Sequence, residues 1–429
     1  MLKRSLAAMI SSVILTALLV AAPTPAQAFS TIYVGPGGGS GGCASPAYET
    51  NGSSDNVEIS DAAFFATSGD TIYLCSGTYR FNEQVDLSAV AGGKNLTFQG
   101  AGRTRTILDA TSANSRFFLA SDVSLTFRDL TMQNARAENW VGAVWGEGTT
   151  NIIIERSAFI NNYAPFGIGA IFSREGTVSV TSSLFQGNYS GYLEGEYWGG
   201  GAITVNGGDA VVFITDSVFA DNYSAQPGGA VNVNGPLVIN GSRFTNNESE
   251  SDGGAISAYD DLRITASTFT GNVTHEEGGS VYVECDEFVD VSRSSFTGNH
   301  AIGSGADGGA LNIRCRNPEV DLSFDRNTFS KNTAGDAGGA IDEDSGDLMV
   351  FTSNKFTKNS SIDDGGAIWA NYIELSRNTF TSNTTSGCGG AVFVSGTDFG
   401  TAREGRNRFS GNRARGNSRY ADVCFGTYR

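Results

Sequence analysis

The sequence predicts an all-β chain wound as a single-stranded parallel β-helix (a solenoid), and three observations predict it. The tetrad F-x-x-N recurs ten times, from Phe159/Asn162 to Phe409/Asn412, which is 250 residues in nine steps and a mean period of about 28. A second signature, G-G-A followed by an aliphatic residue, falls between successive tetrads, as in Gly228-Gly229-Ala230-Val231, Gly253-Gly254-Ala255-Ile256 and Gly365-Gly366-Ala367-Ile368. Seven and five residues before each Phe stand apolar residues two apart, such as Val178/Val180, Leu262/Ile264 and Ile373/Leu375; only the last tetrad departs, with Ala402 and Glu404. Spacing by two is the signature of a half-buried strand, not a helix. Short strands at a fixed period build coils that stack about 4.8 Å apart. A β-propeller needs four strands in about 40–45 residues, more than one period holds.

Taken in order, Met1 to Ala28 reads as a signal peptide: Lys3 and Arg4, then the apolar run Ile10 to Ala22, then the small-x-small site Ala26-Gln27-Ala28. The rival reading is an uncleaved anchor, but the run is short for a span of about 20 residues. The β-helix is expected over 29–429. Within it, 29–150 holds an N-terminal cap and degenerate coils, 151–412 the repeat coils and 413–429 a C-terminal cap. Val57 to Ala66 has helical spacing behind Ser54 or Asp55 as N-cap, and a helix there would cover the open strand edge of the first coil. Thr71 to Leu74 and Asn95 to Phe98 read as strands, and Leu125, Phe127 and Met132 keep the strand spacing. In the repeats each Phe is expected inside the cylinder as one step of a ladder. The Asn is expected to take a left-handed turn conformation and to bond the Asn one rung away. The paired glycines supply the other corner.

Composition sets the function classes. The formal charge is −17, about −19 once Lys3 and Arg4 leave with the leader, which is the wrong sign for a nucleic-acid binder or a grip on anionic lipid. Glycine without a three-residue period excludes collagen, and 40% apolar residues exclude wholesale disorder. All six cysteines lie beyond the leader, an even number suited to an oxidising compartment, and no C-x-x-C suggests zinc. Cys285 and Cys315 each lie six residues past the second glycine of their corner, so they occupy equivalent places on adjacent rungs and are expected to bond. Cys43 is expected to pair with Cys75 near the N-terminal cap, and Cys388 with Cys424 by elimination.

The alternating F-x-x-N and G-G-A-[ILV] motifs resemble the repeats of polymorphic outer-membrane proteins of the Chlamydia type. Gly69-Asp70-Thr71-Ile72-Tyr73-Leu74 with Gly77-Thr78-Tyr79 resembles the opening coils of pectin-lyase-like right-handed β-helix proteins. Together the resemblances span almost all of 29–429. They imply a right-handed solenoid and a surface-exposed or secreted passenger, often an adhesin. The family's autotransporters end in a membrane β-barrel, whereas about 17 residues follow Asn412 here, so anchoring by that route is not expected.

No catalytic set stands out. His275 and His300 follow F-x-x-N turns and read as solvated loop residues, and the paired aspartates and G-H-G segment of polygalacturonase-like hydrolases are missing. Elimination of the pectate-lyase kind needs acidic Ca²⁺ ligands and a base; Arg263, Arg293, Arg314 and Arg316 are candidates without a distinguishing spacing. Two features remain. The insertion Asn188 to Gly200 holds Tyr189, Tyr192, Tyr197 and Trp198 around Glu194 and Glu196, a composition that stacks on sugar rings or else covers the adjacent coil. An acid precedes most glycine corners (Asp252, Glu277, Asp307, Asp364, with Asp336 one place earlier), and rungs would stack these. This column is solubilising surface charge or a Ca²⁺ site, for which Asp336, Asp342, Asp344, Asp363 and Asp364 are the candidate ligands, with Glu343 and Asp347 nearby.

The expectation is therefore a secreted or cell-surface β-helix that binds glycan or another cell's surface. It has no nucleic-acid partner and no membrane segment after cleavage. A Ca²⁺-dependent polysaccharide lyase or related carbohydrate-active enzyme is the alternative. A base and several acids converging in one groove would indicate the enzyme; a continuous face without them would indicate the binder.

Overall fold

The computed structural model describes residues 29–36, 43, 46–50, 52, 54–88, 94–111, 113–138, 140–192, 199–317, 319–396, 406–416 and 421–426. Residues 1–30 form one unit, of which only Phe29 and Ser30 are described, and 31–429 form the other. The leader thus lies outside the described residues.

The second unit is a right-handed parallel β-helix. A first sheet of 14 strands runs from Thr31–Gly35 and Tyr48–Glu49 to Tyr372–Ser376, a second of 13 from Gly77–Arg80 to Arg408–Ser410, and a third of 13 from Val85–Asp86 to Val423–Phe425. A short sheet of seven two-residue strands, Tyr163–Ala164 to Thr333–Ala334, fills the corner between the second and third. One coil reads Leu262–Thr265, Thr268–Thr270, Val273–Thr274 and Val281–Val283, and each strand pairs in parallel with its copy one rung on. At the far end Val423–Phe425 still pairs with Val392–Val394, so the third sheet continues past the last F-x-x-N.

The helix α1, Asn56–Phe65, follows Asp55 and buries Ile59, Ala62 and Ala63 in the same core as the first coils. The Asp55 carboxylate does not cap the helix. It accepts the Gly52 N–H at 2.9 Å and the Arg80 N–H at 2.6 Å, and so ties the helix start to a strand of the second sheet.

Ten phenylalanines stack inside the cylinder from Phe159 to Phe409, with centroids 4.7–5.0 Å apart and planes within 8° of parallel. The Asn ladder runs beside them. Asn272 Nδ2 donates to Asn299 Oδ1 at 3.0 Å and to the Phe244 carbonyl at 3.1 Å, and its backbone N–H donates to the same Asn299 oxygen at 3.1 Å. The pattern repeats from Asn162 to Asn412, so both the donors and the acceptor of each buried amide are used.

One expectation is corrected here. The left-handed residue is not the Asn but the one before it, such as Asn161, Asp221, Asn246, Lys331 or Lys358, or a glycine at 187, 271, 298 and 411. The Asn itself keeps ordinary backbone angles because its amide must point along the axis to the next rung. At the other corner the two glycines have separate reasons. Gly253 has φ +66°, and a Cβ on Gly254 would lie 2.3 Å from the Gly279 carbonyl oxygen on the next rung.

The disulfides are Cys43–Cys75, Cys285–Cys315 and Cys388–Cys424, with Cα separations of 5.7, 4.4 and 5.7 Å, the pairing expected from the sequence. No described helix is long and apolar enough to cross a membrane.

Candidate functional site

In the third-sheet strands from Ile171–Ser173 to Val392–Val394 the first and third residues are buried toward the core and the middle one faces out. Register places these middle residues in one column: Trp145, Phe172, Thr204, Asn232, Ser257, Tyr282, Asn312, Asp342, Trp369, Phe393 and Cys424. Although outward, Ser257, Tyr282, Asn312 and Asp342 are buried. They form the floor of a groove. One wall is the residue before each glycine corner, the acidic column. Residues just past the strand, Glu284, Arg314 and Arg316, stand on the other side.

The Cys388–Cys424 disulfide measures how close wall and floor come. Cys388 precedes its corner, and Cys424 is the middle residue one rung on, in register with Phe393. Asp307 and Asp342 occupy the same two positions, because Asp342 is in register with Asn312, five residues past Asp307. The two residues are therefore neighbours across adjacent rungs, and Asp307 Oδ1 accepts the Ala337 N–H at 2.7 Å. Two carboxylates about 5 Å apart repel by about 3 kcal/mol at an effective dielectric of 20, so such a pair resists ionising together.

The electrostatics follow. Asp342 is 3% exposed, and burial first, then Asp307, Asp344 and Glu277, push its carboxyl well above the usual range. Burial pushes Asp252 up to about 6, Glu277 to about 7 and Asp307 to about 6, with neighbouring acids adding to each. Arg314 Nη2 pairs with Glu277 Oε1 at 2.5 Å, and although burial works against its charge, Glu277 holds the guanidinium above its ordinary value. Arg316 pairs with Glu284 at 2.7 Å, and Tyr282 donates its hydroxyl to Glu284 at 2.8 Å. Asn312 Nδ2 reaches Asp342 Oδ2 at 3.4 Å, while Asn312 Oδ1 and Glu277 Oε2 have no donor, Arg314 Nε has no acceptor and Ser257 Oγ has no hydrogen-bond partner. A cavity of about 440 Å³ opens beside the wall, lined by Asp252, His275, Glu277, Gly303 and Arg314 among others.

Aromatic residues flank this centre on the same face. Trp145 and Phe172 meet edge-on at 5.9 Å on the N-terminal side, where Phe172 is buried and Arg116 lies over the Trp145 ring at 4.5 Å, and the half-buried Trp369 lies over Phe393 at 6.1 Å beyond Asp342.

The residues singled out from sequence fall into different places. Asp342 and Asp344 belong to the groove. Asp336, Asp363 and Asp364 face one another at the next corners, where burial and mutual repulsion raise Asp336 and Asp364. The five aspartates are thus divided between two places. Glu343 and Asp347 hold a turn instead: Glu343 Oε1 accepts the Ser345, Gly346 and Asp347 N–H groups, and Asp347 accepts that of Val320. Among the described residues, the acid and histidine group whose ligand atoms lie within 4.8 Å of one another is Glu248, Glu250 and His275. His275 is therefore paired, at 3.6 Å to each acid, and His300 is a half-buried strand residue bonded to Thr333, not a free loop residue.

Tyr189 sits in a stack with Tyr163 at 4.6 Å and Tyr223 at 4.9 Å on the short sheet. Both its ring faces are covered, so it has an edge and a hydroxyl to offer a sugar but no face. Tyr192 is exposed, and Glu194, Glu196, Tyr197 and Trp198 lie outside the described residues. Of the four arginines, Arg263 pairs with Asp290 on the first sheet and Arg293 is an exposed turn residue; only Arg314 and Arg316 reach the groove. The floor was missed because its middle position varies from coil to coil and so stands outside the repeat motif.

Residues 241–259, part of one coil that includes Asp252 and Ser257, match a known family model. It is that of the Chlamydia polymorphic membrane protein repeat. No curated protein sequence matches the chain. Among solved structures, the catalytic unit of a thermostable GH87 alpha-1,3-glucanase from Streptomyces thermodiastaticus is similar at 13% identity, covering 91% of this chain and 69% of that one with a TM-score of 0.37. A PL6 family alginate lyase, AlyGC, is similar at 11% identity over 83% of this chain and 75% of that one, with a TM-score of 0.29.

Proposed function

We propose that this is an exported protein of the cell surface or extracellular space that binds polysaccharide along the groove of its third sheet. The observation that carries the reading is the single outward column in which the half-buried pair Trp369 and Phe393 stands next to the polar centre Tyr282, Asn312 and Asp342. Aromatic surfaces with buried hydrogen-bonding groups beside them suit a chain of sugar rings. Three disulfides fit an oxidising compartment, and the match of one segment to a polymorphic membrane protein repeat is compatible with display outside the cell.

Convergence of acids with Arg314 favours a second reading, cleavage of the bound glycan. Lyase chemistry is poorly served, because Glu277 keeps Arg314 charged and unable to take a proton. Acid-assisted hydrolysis is better served: Asp307 and Glu277, at about 6 and 7, exchange protons near neutral pH. A glycan panel with the purified protein, in EDTA and in millimolar Ca²⁺, separates the readings. The binder retains a glycan and leaves it intact. New reducing ends would establish hydrolysis, and unsaturated products appearing only with Ca²⁺ would establish a lyase. Retention of no glycan would refute the proposal.

A further inference from the structure

Outside the third-sheet floor, one outward cluster joins two carboxylates to an imidazole, and it lies on the short corner sheet. Glu248–Ser249 pairs in register with Val273–Thr274 one rung on. The ladder runs one residue further, since the Glu250 N–H donates to the Ser224 carbonyl and the His275 N–H to the Ser249 carbonyl. Alternation buries Ser249 and Thr274 and turns Glu248, Glu250 and His275 outward. Two acids spaced by two on one rung thus face an imidazole on the next. In the three coils before, the place of Glu248 is held by Tyr163, Tyr189 and Tyr223, so the cluster begins where the tyrosine stack ends.

One ligand atom from each of the three residues lies within 4.8 Å of the other two. His275 Nε2 is 3.6 Å from Glu248 Oε1, and His275 Nδ1 is 3.6 Å from Glu250 Oε2. A charged hydrogen bond would close to about 2.7–2.9 Å. Two ligands of a tetrahedral ion, each about 2.0–2.1 Å from it, stand about 3.4 Å apart. The observed separations are near the second figure. One ring nitrogen takes the ion, and rotation of the farther glutamate brings its oxygen in from at most 4.8 Å. Glu250 is already oriented, because Tyr223 donates its hydroxyl to Oε1 at 3.0 Å and leaves Oε2 toward the ring. Among the described residues neither acid is paired with a lysine or arginine; the partner of both is His275.

We propose that Glu248, Glu250 and His275 form a site for a divalent transition-metal ion of the Zn²⁺ class, which ties one rung to the next. The imidazole decides the class, since nitrogen ligands suit zinc, nickel or copper and not calcium or magnesium. Calcium takes six to eight oxygens, more than these side chains offer. Three protein ligands leave the fourth position of a tetrahedral ion to water. His275 also lines the cavity of about 440 Å³ beside the groove wall, so the ion is reached from solvent. His300, the other histidine of the chain, spends its Nδ1 on Thr333 at 2.6 Å and belongs to no such group among the described residues.

Calorimetric titration with ZnCl₂ of the full chain, free of any histidine tag and stripped with chelator, tests this. The buffer carries millimolar Ca²⁺ to occupy sites made of carboxylates alone. The expected result is one zinc ion per chain, undiminished by the Ca²⁺. His275→Ala should weaken zinc binding by at least about tenfold and Tyr223→Phe by about tenfold, the low end for loss of a residue that orients a ligand. His300→Ala should leave it unchanged. Because the chain has two histidines, the unaltered protein gives a second readout that stands if a variant fails to fold. With ¹⁵N-labelled imidazoles, zinc should shift the His275 ring resonances and leave those of His300 in place. No zinc uptake in Ca²⁺ would overturn the proposal and leave the cluster an ion pair. Uptake that survives His275→Ala, or that shifts His300 instead, would also overturn it.

Discussion

Two polar columns run along this solenoid, and they differ in one respect. In the Asn ladder every buried amide meets an identical one a rung away, and each donor and acceptor is used. On the third-sheet floor Ser257, Tyr282, Asn312 and Asp342 are stacked by the same register and are as deeply buried, yet they are unlike their neighbours and leave Ser257 Oγ and Asn312 Oδ1 without hydrogen-bond partners. Stacking alone therefore does not make a polar column structural. A column stabilises the solenoid where repetition lets each residue complete the next. Where the repeat is broken, the unmet hydrogen bonds are left for something else to meet.

The largest expected effects lie in the interior. Phe269→Ala removes one step of the ring ladder and should cost about 3–5 kcal/mol. Asn272→Ala should cost a comparable amount, because it strands the Asn247 amide group and backbone N–H, along with the Phe244 carbonyl, at about 1–3 kcal/mol each. Denaturation midpoints check both. A cost below about 1 kcal/mol at Asn272 would mean that the ladder is not what holds the corner.

Next comes the staple beside the groove. Replacing Cys285 and Cys315 together by Ala should lose about 2–4 kcal/mol, measured by melting under non-reducing conditions. Peptide mapping that found Cys285 joined elsewhere would refute the register on which the groove is built.

The floor should respond with the opposite sign. Asp342→Asn should raise stability at about pH 8 and leave it nearly unchanged at about pH 5, since the variant removes a buried carboxyl that resists ionisation. Asp252, Glu277, Asp307 and Asp342 all hold protons more tightly in the folded than in the unfolded chain. Their contribution is whole below the ordinary carboxylate range and is lost as pH rises through about 6 for Asp252 and Asp307 and about 7 for Glu277. The melting temperature should therefore fall between about pH 5 and pH 8, and the fall should be shallower in Asp342→Asn. A melting temperature that rises over this range would contradict the assignment. The smallest effect is reserved for the outer surface, where exposed Thr270→Ala should stay within about 0.5 kcal/mol.

What the sequence revealed follows from the same distinction. The Phe and Asn ladders, the glycine corners, the strands at Val231–Val233, Val281–Val283 and Val392–Val394 and the disulfide register at Cys285 and Cys315 were all legible because each is a repeated position. The acidic wall was visible for that reason too, but its meaning was not. Whether Asp307 splays into solvent or faces Asp342 depends on a contact between one rung and the next, across 35 residues of chain. The floor was not legible. Ser257, Tyr282, Asn312 and Asp342 share no residue type, and an alternating strand pattern marks such outward positions as exposed. Tyr189 was misleading for the converse reason: an aromatic residue in an insertion looks available until register stacks Tyr163 and Tyr223 on its two faces.

The central claim is that the irregular column, not the tyrosine stack or the insertion, meets the ligand. Hydrogen exchange of the full chain with and without a glycan retained from the panel tests it most directly. The account predicts slowed exchange confined to the third-sheet strands Ile256–Ala258, Val281–Val283, Leu311–Ile313 and Ile341–Glu343 and their glycine corners. Protection centred instead on Tyr163, Tyr189 and Tyr223, with the third sheet unchanged, would contradict it.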